Sequence, residues 1–192
     1  MTISKLWEPS PERIAQANVT AFAAGVAARH GVDTGTYDKL WRWSVDHKWD
    51  FWREIWEYGD VIGEPGSRVL VDAERMPGAR WFPEGRLNFA QNLLERRPAD
   101  DVDDALVFWG EDKVKRRLSH AQLHAAASRV SAALAAHGIE AGDRVAAYLP
   151  NMPETIVAML GATARGAIWS SCSPDFGVQG VLDRFGQIEP RV

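Results

Sequence analysis

The stretch that decides the fold is GDRVAAYLPNMPETIVAMLGATARGAIWSSCSPDFG, residues 142–177. Its first apolar run, Arg144 to Leu149, predicts a strand, and the residues from about Pro153 to Gly166 predict a helix. Residues 167–172, AIWSSC, predict another strand, which begins with a second apolar run, Ala167 to Trp169. Neither run alternates apolar and polar residues, which is typical of strands that are covered on both faces. Strand, helix and strand in this order predict a βαβ unit with a parallel sheet.

The residues on either side of this unit extend the same alternation. Upstream, the runs Ala105 to Trp109 and Lys113 to Leu118 flank Gly110-Glu111-Asp112 and predict a β-hairpin. Downstream, residues 177–188 predict a further helix, and residues 188–192 predict the first part of a further strand. Three or four strands with an unfinished edge would leave apolar surface exposed. We therefore expect an α/β fold whose parallel-sheet βαβ domain is incomplete.

Capping signals mark the helices of this region. Ser119 followed by Gln122 predicts a capping box at the start of the helix after the hairpin. Asn151 and Glu154 predict a helix start around Pro153. These signals set the expected helix boundaries.

The first half of the chain, residues 1–98, has a different character from residues 99–192. A helix is expected from Ser10-Pro11-Glu12 to just before Gly31, and a second helical region from Tyr37 to Tyr58, closed by Gly59. A segment rich in Gly and Pro follows, and a short helix is expected at Asn88 to Arg96. We interpret residues 1–98 as a helical N-terminal extension that a polar, acidic linker joins to the second domain.

Tryptophan is abundant in this extension. The chain has nine tryptophans, and five of them lie between Trp41 and Trp56. Such clustering could form a stacking surface for sugars or bases. Because Trp41, Trp49, Trp52 and Trp56 follow helical spacings, we instead expect them to pack the apolar face of a helix.

The composition argues against several kinds of partner and cellular location. The net charge is −4, and the most basic cluster, Lys113 to Arg117, fits a solvated hairpin face, which argues against nucleic acid or an anionic membrane as the main partner. A single cysteine, Cys172, permits no intramolecular disulfide. The N-terminus lacks the apolar core of a signal peptide, and no run approaches the roughly 20 apolar residues that a membrane helix needs. We expect a cytoplasmic protein.

Familiar catalytic motifs are missing from the sequence. It contains neither the G-x-x-x-x-G-K-[ST] phosphate loop nor the G-x-G-x-x-G fingerprint. His120 and His124 have the spacing of zinc ligands on a helix, but a third ligand is not evident, so a solvated helix start is expected. Cys172 could be a nucleophile if a base activated it, although a small packed thiol is the expected role.

The polar residues after the second strand form the candidate site. Ser173, Pro174 and Asp175 follow that strand directly. In open α/β sheets, ligands bind at the carboxyl ends of the strands. Small residues there let a ligand approach the backbone, and Asp175 could accept a hydrogen bond from a ligand or cap the next helix. A capped turn without a ligand is the alternative.

Two parts of the sequence, residues 81–97 and 116–177, carry a family resemblance. Residues 118–123, LSHAQL, are similar to the L-[ST]-Y-x-E-L segment of the adenylate-forming acyl-CoA synthetases, with His120 in place of Tyr and Gln122 in place of Glu. The fold-deciding stretch also resembles the next part of that family. Residues 81–97, WFPEGRLNFAQNLLERR, resemble the W-F-x-x-G-x-L-N segment of the acetyl-CoA synthetase branch. Both occur in the order that the family has.

The residues of the candidate site indicate which branch of the family the chain resembles. Acetyl-CoA synthetases have F-G-G-F-S where this chain has residues 173–177, and SSCSPDFG resembles the acetoacetyl branch instead. The resemblance implies a ligase that uses ATP, Mg²⁺ and CoA, with acetoacetate as the small-molecule substrate. A ligase for acetate or propionate and a non-catalytic interaction module are the alternatives.

The family's catalytic machinery is missing from these 192 residues. They lack its Thr/Ser/Gly-rich phosphate loop ending in Pro-Lys, its Tyr-Gly-x-Thr-Glu segment and the domain with the catalytic lysine. The resemblance therefore implies an N-terminal portion that is inactive and binds no cofactor tightly without the remainder of the polypeptide. It assigns no catalytic residue or metal ligand here, and it places Ser173, Pro174 and Asp175 at the wall of the CoA or acyl site.

Overall fold

The computed structural model describes residues 6–95, 103–111 and 113–192. The chain forms two compact units, Met1–Arg86 and Leu87–Val192, and each is described by itself. The predicted domain boundary between residues 98 and 99 lies outside the described residues and stays a prediction.

The first unit is mainly helical. Its elements are α1 Pro11–Ala15, α2 Asn18–His30, α3 Tyr37–Asp46, α4 Lys48–Tyr58, β1 Gly63–Glu64, β2 Leu70–Val71 and β3 Arg80–Trp81. The short strand β4, Arg86–Leu87, lies where the two units meet in the sequence. β2 and β3 pair antiparallel within the segment that is rich in Gly and Pro.

Both long helices predicted for the first unit are divided. Ala17 is extended between α1 and α2, and the hydroxyl of Thr20 donates a hydrogen bond of 2.6 Å to the carbonyl of Ile14 beside this break. His47 separates α3 from α4. The predicted ends are confirmed, since Ser10 caps α1 and Gly31, with φ of 65°, closes α2.

The prediction for the tryptophans is wrong in detail. Trp43, which lies three residues after Leu40 on α3, is the tryptophan that is buried, against Phe22 and Val26 of α2. Trp41, Trp49 and Trp52 are 40–49% exposed, and Trp56 is half-buried. The helix face that packs on α2 carries Phe51 and Ile55 instead.

The tryptophans of α4 cover the segment that is rich in Gly and Pro. The indole N–H of Trp49 donates to the carbonyl of Leu70 at 3.3 Å. The ring of Trp52 lies 5.4 Å from that of Trp81, and the ring of Trp56 lies 4.9 Å from that of Phe82. These contacts fix an otherwise irregular segment to a helix.

The residue of α4 that is buried is a carboxylate. Glu54 is 4% exposed, and its two oxygens accept hydrogen bonds of 2.9 Å from the Nε of Arg29, while His30 Nε2 lies 2.9 Å from Oε1. The hydrogen bonds from Arg29, followed by that from His30, lower the pKa of Glu54 although burial opposes the shift. This charge pairing between α2 and α4 was not predicted from the sequence.

The second unit alternates strands and helices as predicted. Its elements are α5 Phe89–Leu94, β5 Asp104–Gly110, β6 Val114–Ser119, α6 His120–Ala136, β7 Arg144–Tyr148, α7 Pro153–Ala164, β8 Ile168–Cys172 and α8 Val178–Ile188. β5 and β6 form the antiparallel hairpin, and β7 and β8 pair in parallel, with Val145 opposite Trp169 and Tyr148 opposite Cys172. The α/β fold class is confirmed.

One detail of the predicted helix boundaries is corrected. The capping box of Ser119 and Gln122 is present, but the cap of α7 is Met152 rather than Asn151. The strand predicted for residues 167–172 is confirmed as β8, in which Ser170 and Ser171 pair with β7 in the same register as the apolar residues before them.

The core of the second unit lies between helices and sheet. Leu123 and Ala127 of α6 pack on Leu160 of α7, and a second cluster joins Val145 of β7 to Ala162 of α7. Gly161 lets α6 and α7 approach closely. A Cβ there would lie 2.7 Å from the Cβ of Val130, a distance that packed side chains do not tolerate.

We predict that the Glu54 carboxylate makes stability fall in acid. Its folded pKa is lowered, so its contribution is present above the ordinary glutamate pKa of about 4.3 and is lost as the pH falls below that value. Glu54→Gln should cost about 1–3 kcal/mol of unfolding free energy at pH 7 and flatten the loss between about pH 5 and pH 3. Urea unfolding at several pH values measures both effects. Glu57→Gln, an exposed change on the same helix, is the control, and an equal pH profile for both variants would contradict the prediction.

Candidate functional site

The candidate site lies where the two parallel strands end. Tyr148 and Cys172 are the last residues of β7 and β8 and lie opposite each other. The loops 149–152 and 173–177 therefore leave the sheet at the same edge, and each leads into the N-terminus of a helix. This is the position at which α/β proteins bind ligands.

Ser173 and Asp175 are hydrogen-bonded to each other. The hydroxyl of Ser173 donates to Oδ2 of Asp175 at 2.8 Å, and the backbone N–H of Asp175 donates to Ser173 Oγ at 3.3 Å. Ser173 is half-buried, whereas Pro174 and Asp175 are exposed. The structure thus brings the three predicted residues together in one turn, in which Asp175 is exposed to solvent.

Tyr148 is a member of this site that the sequence prediction missed. Its hydroxyl lies 2.8 Å from the carbonyl oxygen of Pro174 and 3.1 Å from that of Phe176, and donates to this pair. An aromatic residue with a polar tip at the last position of a strand was the available signal. Through Tyr148, the end of β7 holds the loop that follows β8.

The part of the loop that leads into α8 is also held. The guanidinium carbon of Arg184 lies 3.9 Å from the centre of the Phe176 ring, in a cation–π contact, and Arg184 also donates to the carbonyl of Gly180 at 2.9 Å. The cap residue of α8 is Gly177. The suggestion that Asp175 caps this helix is therefore wrong, because its carboxylate turns back to Ser173.

The other residues singled out in the sequence lie elsewhere. Cys172 is 3% exposed at the end of β8, which confirms the packed thiol. His120 opens α6, and His124 lines a cavity of about 570 Å³ that also includes Asn88 and Arg165. Lys115 and Arg116 belong to the exposed hairpin strand β6. The residues that the structure describes include no cluster of three His, Cys, Asp or Glu side chains suited to a metal ion.

Among the described residues, the helices are too short or too polar to cross a bilayer.

Comparison with known families classifies the chain. The model of the AMP-binding enzyme family matches residues 94–192, and the model of the acetyl-coenzyme A synthetase N-terminus matches residues 37–93. The chain therefore belongs to the AMP-binding enzyme family, the adenylate-forming class that the sequence resembled.

Individual members of this family show high sequence identity to the chain. The chain is 52% identical over 187 residues to the acetoacetyl-coenzyme A synthetase of Rhizobium meliloti, covering 97% of the chain and 28% of the relative. It is 38% identical to the acetoacetyl-CoA synthetase of Macaca fascicularis, with the same coverage. A malonamoyl-CoA synthetase of Penicillium aethiopicum is 36% identical over 97% of the chain and 26% of the relative. The chain spans little more than a quarter of the length of these proteins.

A solved structure resembles the chain over nearly its whole length. The acetoacetyl-CoA synthetase of Streptomyces lividans superposes with a TM-score of 0.89 at 43% identity, covering 98% of this chain and 29% of that one.

We predict that Tyr148→Phe loosens the loop after β8. Losing the hydroxyl removes the hydrogen bonding to Pro174 and Phe176, so hydrogen exchange of residues 173–177 should become about threefold to tenfold faster. Mass spectrometry of the exchanged peptides measures this rate. Tyr37→Phe is the matched control because Tyr37 is 75% exposed. Equal exchange of the loop in both variants would show that Tyr148 does not hold it.

Proposed function

We propose that the whole protein is an AMP-forming acetoacetate–CoA ligase and that this chain is its N-terminal portion. The observation that carries the proposal is 52% identity, over 97% of the chain, to an acetoacetyl-coenzyme A synthetase. The likeness to the Streptomyces lividans structure at 43% identity supports it. Because the chain spans 28% of the first relative, activity belongs to the whole protein.

The proposed reaction has two steps. A carboxylate oxygen of acetoacetate attacks the α-phosphorus of ATP, the bond to pyrophosphate breaks, and an acyl-adenylate forms. The thiolate of CoA then attacks the acyl carbon, the bond to the AMP oxygen breaks, and acetoacetyl-CoA and AMP leave. Mg²⁺ accompanies ATP in this proposal. The described residues offer no cluster of three acidic, His or Cys side chains, and we assign no Mg²⁺ ligand to them.

Within this reaction we assign Ser173, Pro174 and Asp175 to the wall of the CoA or acyl site. Their position at the carboxyl end of a parallel strand and the exposure of Asp175 support the assignment. An exposed carboxylate would repel the acetoacetate anion and the phosphates of CoA. It would instead accept hydrogen bonds from the amide N–H groups of the pantetheine arm, so the charge of Asp175 favours the CoA side of the site.

A cytoplasmic location is part of the proposal. Cys172 is the single cysteine of the chain and is a free thiol, which suits a reducing compartment.

The identity of the acid is tested by measuring CoA-dependent pyrophosphate release with the full-length protein. Acetoacetate should give the highest kcat/KM, above acetate and propionate, because a site that hydrogen-bonds a carbonyl at C3 leaves its own groups unpaired when that carbonyl is missing. Malonamate also has a carbonyl at C3, but as part of an amide. Comparing it with acetoacetate therefore tests whether the site distinguishes a methyl ketone from an amide.

The outcomes of this assay separate the alternatives. Equal or better turnover of acetate or propionate would contradict the acetoacetate assignment. Better turnover of malonamate would move the assignment toward the Penicillium relative. Absence of CoA-dependent pyrophosphate release with all four acids would favour an interaction module.

We predict that Asp175→Ala in the full-length protein raises the KM for CoA. Losing hydrogen bonds to a charged group costs about 1.5 kcal/mol or more, which corresponds to an increase of about tenfold. Steady-state kinetics with CoA and acetoacetate varied in turn measures the effect. Asp183→Ala on α8 is the matched control, since its carboxylate contacts Gln179 rather than the loop. If Asp175→Ala leaves both Michaelis constants unchanged, the wall assignment fails.

A further inference from the structure

The helix α8 has an apolar face that is only partly covered. Its inner flank, Val181, Phe185 and Ile188, is half-buried. Its outer flank is open, since Val178 is 77% and Leu182 is 60% exposed, and these two residues lie one turn apart. None of the described residues from Val178 to Ile188 is buried. An amphipathic helix of this kind normally buries its apolar stripe.

The chain after α8 returns to the sheet at the other edge of β7. The N–H of Arg191 donates to the carbonyl of Arg144 at 2.8 Å, and the N–H of Ala146 donates to the carbonyl of Val192 at 2.7 Å. β8 bonds to the opposite edge of β7, for example through the N–H of Ile168 and the carbonyl of Asp143 at 2.8 Å. β7 therefore has backbone partners on both edges, and residues 191–192 run beside it.

This order of neighbours places α7 and α8 on opposite faces of the sheet. The connection that contains α7 leads from β7 to β8 on one edge of β7. The connection that contains α8 leads in the opposite direction, from β8 across β7 to residues 191–192 on the other edge. Because crossovers between parallel strands are right-handed, reversing direction puts the second helix on the second face. Val145 packs with Ala162 of α7, so alternation along the strands assigns Ile168, which is 54% exposed, to the face of α8.

We propose that Val178 and Leu182 form an intramolecular docking surface, which the polypeptide that follows Val192 covers in the whole protein. Two observations identify this occupant. The relatives are more than three times as long as the chain, which spans 28–29% of them. The backbone leaves α8 already hydrogen-bonded to the edge of β7, which directs the following residues to the sheet whose second face α8 covers incompletely. The proposal does not depend on which acid the protein activates.

The test compares two substitutions to serine in the full-length protein. Leu182→Ser should make amide exchange of residues 178–188 about tenfold faster or more and lower the Tm, because it removes a side chain from a packed interface. Gln187→Ser, an exposed change on the same helix, should alter neither quantity. Sedimentation should give the same mass for both variants and the unsubstituted protein.

Two results would overturn the proposal. Equal exchange and equal Tm in both variants would mean that Leu182 faces solvent in the whole protein. A loss of mass in Leu182→Ser would mean that a second copy covers the flank. If Leu182→Ser is insoluble, the unsubstituted protein decides: protection of α8 that is independent of concentration over about a hundredfold dilution supports an intramolecular occupant, and protection that dilution removes contradicts it.

Discussion

The parallel pairing of β7 with β8 is the interaction on which the second unit depends. It sets Tyr148 opposite Cys172, so that two loops leave the sheet at one edge and Tyr148 can reach the carbonyls of Pro174 and Phe176. The pairing needs α7 to lie close on the sheet and on α6. Gly161 permits that approach, since a Cβ would lie 2.7 Å from Val130. One missing methyl group and one strand register therefore position the candidate site.

The first unit shows how an internal charge pair can decide which side of a helix is buried. The helix α4 carries aromatic residues on several sides, so its sequence predicts a helix without specifying the buried face. The face that carries Glu54 is the one that packs on α2, because Arg29 and His30 of α2 form hydrogen bonds with its carboxylate. The tryptophans then turn toward Trp81, Phe82 and Leu70. The pairing joins residues 24 and 25 positions apart, which local periodicity does not reveal.

Sequence reasoning succeeded where the signal is local. The hairpin, the capping box at Ser119, the parallel strands, the C-terminal end of α2 and the start of α7 all follow from neighbouring residues. At the candidate site, it predicted the strand end and the three residues that follow. It did not predict the role of Tyr148, because that hydrogen bond spans 26 residues and depends on strand register. Nor did it predict that Asp175 turns to Ser173, since a carboxylate before a helix has a competing preference for the cap.

The order of neighbours around β7 also explains why the candidate site lies at its end. A ligand crevice in an open α/β sheet forms where successive crossovers diverge to opposite faces. Here they diverge beside β7, because β8 bonds to one edge and residues 191–192 to the other. The loop of Ser173 follows β8, which is one strand away from this point. Tyr148 bridges the difference, because it draws the backbone of Pro174 and Phe176 over the end of β7. The turn of residues 173–175 is thus held beside the end of β7, a strand that it does not itself follow.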